Sequence, residues 1–105
     1  MIELRKYCDA NGRIPFDEWL AGLRDERGKS RILVRLNRMA LGLPGDWRSV
    51  GEGVLEQRIA CGPGYRLYYA HEGSRVILLL IGGDKASQTR DIERAKQYWQ
   101  EHRGN

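Results

Sequence analysis

Cysteine is scarce in this 105-residue chain: Cys8 and Cys61 form no C-x-x-C pair and match no metal-ligand spacing. Two thiols are not a disulfide framework, which points to a reducing cytoplasm. Histidine is equally sparse. His71 and His102 lie far apart in sequence, neither sits in a plausible catalytic set, and a Ser-His-Asp triad finds no support. No cluster of carboxylates or histidines has ligand spacing, so neither a metal nor a cofactor is expected. Long apolar runs are missing too. The longest, Val76 to Ile81, has six residues, against roughly 20 for a bilayer span. No apolar run with a small-residue cleavage site opens the chain, so a membrane protein and a secretory signal are both unexpected. Repeats, low-complexity stretches and an interdomain linker are also lacking, and the length suits one domain over residues 1–105.

Lysine is the last shortage, and the most informative. The net charge is +4, from 18 Lys+Arg against 14 Asp+Glu, and arginine supplies 14 of the 18. The planar guanidinium suits phosphate and stacks on bases, so the bias favours a nucleic-acid or acidic-protein partner. High-GC genomes also favour arginine codons, which is the plain alternative.

The pattern predicts strand, two helices, three strands and a helix. Ile2 and Leu4 alternate with Glu3 and Arg5 in a strand over Met1–Tyr7, and Asp9–Gly12 form a turn. Pro15 opens a short amphipathic helix with Asp17 and Glu18 at its positive end and Phe16, Trp19, Leu20 and Leu23 at helical spacing. Gly28 is expected to interrupt or bend the helical pattern after it. A second helix over about Lys29–Leu41 carries Ile32, Leu33, Leu36, Met39 and Ala40 on one arc and Arg31, Arg35 and Arg38 on another. Gly42, Pro44, Gly45 and Asp46 end it, and Trp47 is expected in a turn, exposed. Val54–Ala60, Tyr65–Ala70 and Val76–Ile81 read as a meander of strands. Gly62-Pro63-Gly64 is its first tight turn, and the non-alternating third strand suits burial on both faces. Gly82–Lys85 reads as a loop and Gln88–Arg103 as the last helix. The expected fold is α+β, a small, mostly antiparallel sheet (β-α-α-β-β-β-α) with two N-terminal helices packed on one face, a C-terminal helix, and the other face partly open.

Alternation along the hairpin puts Glu56, Arg58, Arg66 and Tyr68 on one sheet face, and Ile59, Leu67 and Tyr69 in the core. Folding about Pro63 would set Arg58 near Tyr68 and Ala60 near Arg66. Two arginines, a tyrosine and a carboxylate together are more than solubility needs, although a solvated face with cross-strand pairs has the same pattern. The glycines of Gly82-Gly83-Asp84-Lys85 could let the backbone approach a phosphate, but the GxxxxGK[ST] spacing is absent.

Several ordered motifs carry a resemblance across nearly the whole chain. They are Phe16-Asp17-Glu18-Trp19-Leu20, Arg31-Ile32-Leu33-Val34-Arg35-Leu36 and Gly45-Asp46 in the first half. In the second half they are G-E-G-V from Gly51, E-x-R-I from Glu56, G-P-G-Y-R-x-Y-Y from Gly62, L-L-L-x-G-G-D-K from Leu78, and Asp91-Ile92, Ala95 and Trp99 in the last helix. In these the chain resembles the RelE/ParE superfamily of bacterial type II toxins, in particular the HigB-like addiction module killer branch. Gln57 departs from the pattern, standing where that family usually has an apolar residue.

The resemblance implies a RelE/ParE-like fold and a metal-independent endoribonuclease that cuts mRNA on the ribosome. It also implies a partner, a small helix-turn-helix antitoxin encoded in the adjacent reading frame. Carried over by position, the RNA-facing residues are Arg58, Arg66, Tyr68 and Lys85. Cleavage without metal uses the ribose 2′-OH as nucleophile, so a site must accept a proton, hold the extra phosphorane charge and protonate the departing 5′ oxygen. Arginine does not lose its proton, so Arg58 and Arg66 suit a phosphate clamp. Tyr68 is a candidate proton donor or base-stacking surface, Lys85 a candidate acid or base, and Glu56 a candidate base. Arg31, Arg35 and Arg38 would hold RNA backbone. Three rivals stay open: a ParE-like toxin that inhibits gyrase and cuts nothing, a non-catalytic RNA-binding module, and a purely structural domain.

Overall fold

The computed structural model describes residues 1–104. Its elements are β1 (Glu3–Lys6), α1 (Pro15–Gly22), α2 (Glu26–Ala40), β2 (Trp47–Gly51), β3 (Val54–Ile59), β4 (Tyr65–His71), β5 (Val76–Gly83) and α3 (Gln88–His102). The strands make one five-stranded mixed sheet in the order β1-β5-β4-β3-β2. β1 runs parallel to β5, and the remaining pairs are antiparallel. Among the described residues no helix is long and apolar enough to cross a membrane.

β5 organises the sheet because it is apolar on both faces. Ile77 and Leu79 meet Phe16 of α1, Ile32 and Met39 of α2, and Leu67 and Tyr69 of β4. Leu78 and Leu80 face the other way, onto Val54, Tyr68, Ala95 and Trp99. The unbroken apolar run is thus a strand covered on both sides. The two N-terminal helices share one face as expected, but the expectation that the second face is partly open needs correcting. α1 and α2 cover one face, and α3 covers the second with buried Ala95 and Trp99.

Four local expectations also change. Gly28 does not break α2. Asp25 caps the helix, its carboxylate accepting from the Gly28 N–H at 3.0 Å. The glycine is there for contact: a methyl at Gly28 would sit 2.5 Å from the Tyr65 ring. Leu33, expected in the apolar arc, is 54% exposed, while Ile32 and Met39 carry the burial. Trp47 is exposed as expected but begins β2, an edge strand paired with β3 and ended by a Gly51–Gly53 turn with positive φ throughout. Its composition hides it, because four of its five residues face solvent. Finally, Arg58 pairs with Arg66 and Glu56 with Tyr68, not Arg58 with Tyr68. The connection takes in Ala60 and Cys61 as well, with Gly64 N–H donating to Cys61 O at 3.0 Å. The shift is two residues, so each side chain keeps its face and changes only its neighbour.

Gly82 and Gly83 extend β5 where a loop was expected. A methyl at Gly82 would overlap the Trp19 indole of α1, and one at Gly83 the Asp91 carboxylate of α3. The pair lets a helix from each face close on one strand end. Gly82→Ala should destabilise the fold by about 3 kcal/mol, the upper end for overpacking a core. Gly22→Ala, with nothing within 4 Å of the new methyl, should be neutral or stabilising by up to about 1 kcal/mol. Urea unfolding of both variants checks the contrast.

Candidate active site

Glu56 lies in the middle strand of three, with Arg48 opposite it on β2 and Tyr68 opposite it on β4. The first turn of α3 closes over it. The carboxylate is fully buried and accepts three hydrogen bonds. Oε1 accepts from Arg48 Nε at 2.8 Å, and Oε2 accepts from Tyr68 OH at 3.0 Å and Gln88 Nε2 at 2.9 Å. Arg66 Nε stands 3.7 Å from Oε2. Burial, the largest single influence, pushes the Glu56 carboxyl upward. The bonds from Arg48, Gln88 and Tyr68 and the charge of Arg48 outweigh it, holding the group below its ordinary value. Tyr68 is pushed upward by burial first and by the neighbouring Glu56 charge second.

A cationic rim lies above this buried floor. Arg66 and Arg58 are cross-strand partners. Arg66 is only 12% exposed; its Nη1 donates to Gly64 O at 2.8 Å, and its buried Nε has no hydrogen-bond partner. Arg58 is 44% exposed, its Nη2 donating to Asp46 at 3.1 Å. Lys85 is exposed and starts beside the hairpin turn, its N–H 3.4 Å from Pro63 O. Arg48 is 49% exposed beyond its anchored Nε.

The structure therefore brings Glu56, Arg58, Arg66 and Tyr68 together on one face, with Lys85 at its end. It does not leave them equally open. Glu56 and Tyr68, expected on an open face, are sealed beneath α3. A buried carboxylate carrying three donors does not reach a substrate hydroxyl, and an enclosed phenol ring has no face for a base. Arg31, Arg35 and Arg38 lie on α2, across the sheet. Arg31 and Arg38 are exposed, and exposed Leu33 and Val34 interleave the stripe. Arg35 is half-buried against Gly45, where a methyl would meet its Nη1 at 2.5 Å. Among the described residues none of these three arginines is in an ion pair.

Arg48 and Gln88 carry no signal in the sequence. Arg48 sits on a strand whose composition hides it, and Gln88 meets Glu56 only through the docking of α3. Asp91 stands out in the sequence only as part of a helix motif. It is buried against Gly83, accepts from Ser87 Oγ, and is pushed upward mainly by burial. Among the described residues no group of three or more His, Cys, Asp or Glu is placed to hold a metal ion.

No family model matches the chain. What fold and site define is a small α+β domain with a buried carboxylate under an arginine rim. An uncharacterized protein of Haemophilus influenzae (strain ATCC 51907 / DSM 11121 / KW20 / Rd) is 42% identical over 88 residues, covering 84% of this chain and 89% of that protein. The chain belongs to the family of that protein.

The ionised Glu56 makes stability depend on acid. Because its native value is lowered, its contribution is present above the ordinary glutamate value of 4.5 and is lost as the pH falls through the native value. Glu56→Gln should cost about 3 kcal/mol at pH 7, the scale for breaking a buried charged pair. Chemical denaturation at pH 7 and pH 3.5 should show the wild type and the variant converging in acid.

Proposed function

We propose that the chain is a RelE/ParE-type toxin of the HigB-like branch, a metal-independent endoribonuclease that cuts mRNA on the ribosome in the cytoplasm. A helix-turn-helix antitoxin from the adjacent reading frame would hold it inactive. The observation that carries the reading is the directly opposed pair Arg58 and Arg66, with Lys85 beside their hairpin. Two arginines at directly opposed strand positions suit a group more negative than either carboxylate nearby, and a phosphorane is such a group. In the reaction the ribose O2′–P bond forms and the P–O5′ bond breaks. The 2′-hydroxyl proton is taken up, the 5′ oxygen receives one, and a cyclic phosphate and a free 5′-hydroxyl result. Arg58 and Arg66 clamp the charge. With Glu56 and Tyr68 buried, Lys85 is the exposed group at the rim that can carry a proton. The α2 arginines, with Arg35 reaching toward the Gly45–Asp46 turn, would guide RNA backbone around the β2 edge.

Induced expression should arrest growth, with new mRNA 5′ ends inside translated frames. Intact transcripts with altered DNA supercoiling would transfer the reading to a gyrase-inhibiting toxin. With purified protein and programmed ribosomes, Arg58→Ala should slow single-turnover cleavage about a hundredfold, the usual scale for one charge-stabilising donor. Arg38→Ala, across the sheet, should instead weaken binding and flatten its salt dependence while leaving the saturated rate unchanged. Equal losses in the saturated rate would put the active site on the wrong surface.

A further inference from the structure

We infer that Arg48 is a further phosphate-binding residue of this rim, and that Glu56, steadied by Gln88, is the positioning residue that aims Arg48 and Arg66. This assignment rests on the endoribonuclease reading and changes the part played by the carboxylate in it.

The geometry sets three arginines on one sheet face across three neighbouring strands. Arg48 stands opposite Glu56 on β2, Arg58 comes two residues after Glu56 on β3, and Arg66 stands opposite Arg58 on β4. Like charges so placed repel one another, and a flexible arginine would swing away into water. Each is instead tethered on one side. Arg48 spends its Nε on Glu56 Oε1, Arg66 spends Nη1 on Gly64 O while its Nε faces Glu56 Oε2, and Arg58 leans on Asp46. A tether at Nε leaves the two terminal nitrogens of Arg48 as a fork, and half of that side chain is in solvent. A guanidinium held this way needs little reorganisation to receive a phosphate.

Glu56 is suited to aiming cations and unsuited to shuttling protons. It has no solvent-accessible surface, and its two oxygens serve different strands. The groups facing it are Arg48, Arg66, Tyr68 and Gln88, with Asp91 of α3 beyond Tyr68. Gln88 is the first residue of α3, so its bond at 2.9 Å links the carboxylate to the helix that keeps water out. The Asp46–Arg58 pair differs in being exposed on both sides. A phosphate can displace Asp46 there, whereas nothing reaches Glu56.

The test uses the whole chain and two readouts. The first is affinity for a single-stranded oligonucleotide carrying 2′-deoxyribose throughout, which cannot be cut by this chemistry. The second is single-turnover cleavage on programmed ribosomes across pH. Arg48→Ala should weaken oligonucleotide binding about tenfold, lower the salt slope by about one, and slow cleavage at least about tenfold, with partial recovery in Arg48→Lys. Glu56→Gln should slow cleavage about tenfold and leave the pH–rate profile unmoved, because the amide oxygen still accepts from Arg48 and no proton passes through residue 56. Circular dichroism establishes that the variants are folded. If Glu56→Gln is not, Gln88→Ala takes its place, with a smaller loss in the same direction. Unchanged binding in Arg48→Ala, or loss of the acid limb of the profile in Glu56→Gln, overturns the assignment. If the wild type cuts no RNA but binds the oligonucleotide, the nuclease reading fails and the binding arm still decides the role of Arg48. A wild type that does not bind it even at low salt overturns both.

Discussion

The carboxylate of Glu56 is the constraint on which the second half of the molecule depends. Three strands and a helix meet at its two oxygens: Arg48 from β2, Tyr68 and Arg66 from β4, and Gln88 from α3. Burying a charge is costly unless it is paired and hydrogen-bonded. Here nearly every acceptor position is filled, and the group stays ionised despite its burial. The same contacts that make the buried charge tolerable also set the arginines above it. Support of the fold and arrangement of the rim are therefore one network, and a change at Glu56 reaches both.

β5 supplies the complementary apolar constraint. Its residues face α1 and α2 on one side and α3 on the other, and its last two residues are glycines because a helix side chain lies against each. Trp19 occupies the space over Gly82 and Asp91 the space over Gly83. This explains why α3 starts where it does. With Asp91 seated on Gly83 and Ser87 donating to it, the first turn of α3 is brought over Tyr68 and Glu56. Glycines that in isolation suggest a phosphate loop are here the condition for close helix–strand contact.

The proposed division of the surface reflects these two constraints. The rim of Arg48, Arg58, Arg66 and Lys85 rests on a rigid floor, which suits a site that must hold charge at a fixed place. The arginines of α2 are on the opposite side of the sheet, interleaved with exposed Leu33 and Val34, and make no ion pairs among the described residues. They suit longer-range, screened attraction of a polyanion. The Gly45–Asp46 segment that leads into β2 connects the two regions, since Arg35 meets Gly45 and Asp46 meets Arg58.

Local periodicity was enough, from sequence alone, to place most elements and to sort side chains between faces. Glu56, Arg58, Arg66 and Tyr68 share a face because strands alternate with period two, and a register difference of two residues leaves that sorting intact. The helical spacing of Ile32, Leu36 and Met39 likewise marked the inner side of α2. What required tertiary structure was everything set by contacts distant in sequence. No local pattern says that α3 returns over the second sheet face, so none could show that Glu56 and Tyr68 are sealed while Arg58 stays open. Gly28, Gly82 and Gly83 look like chain breakers until Tyr65, Trp19 and Asp91 are seen against them. β2 is solvated and weakly patterned, and only its pairing with β3 makes it a strand and brings Arg48 to Glu56. Periodicity reports which way a side chain points, but exposure depends on what the rest of the chain later places in front of it.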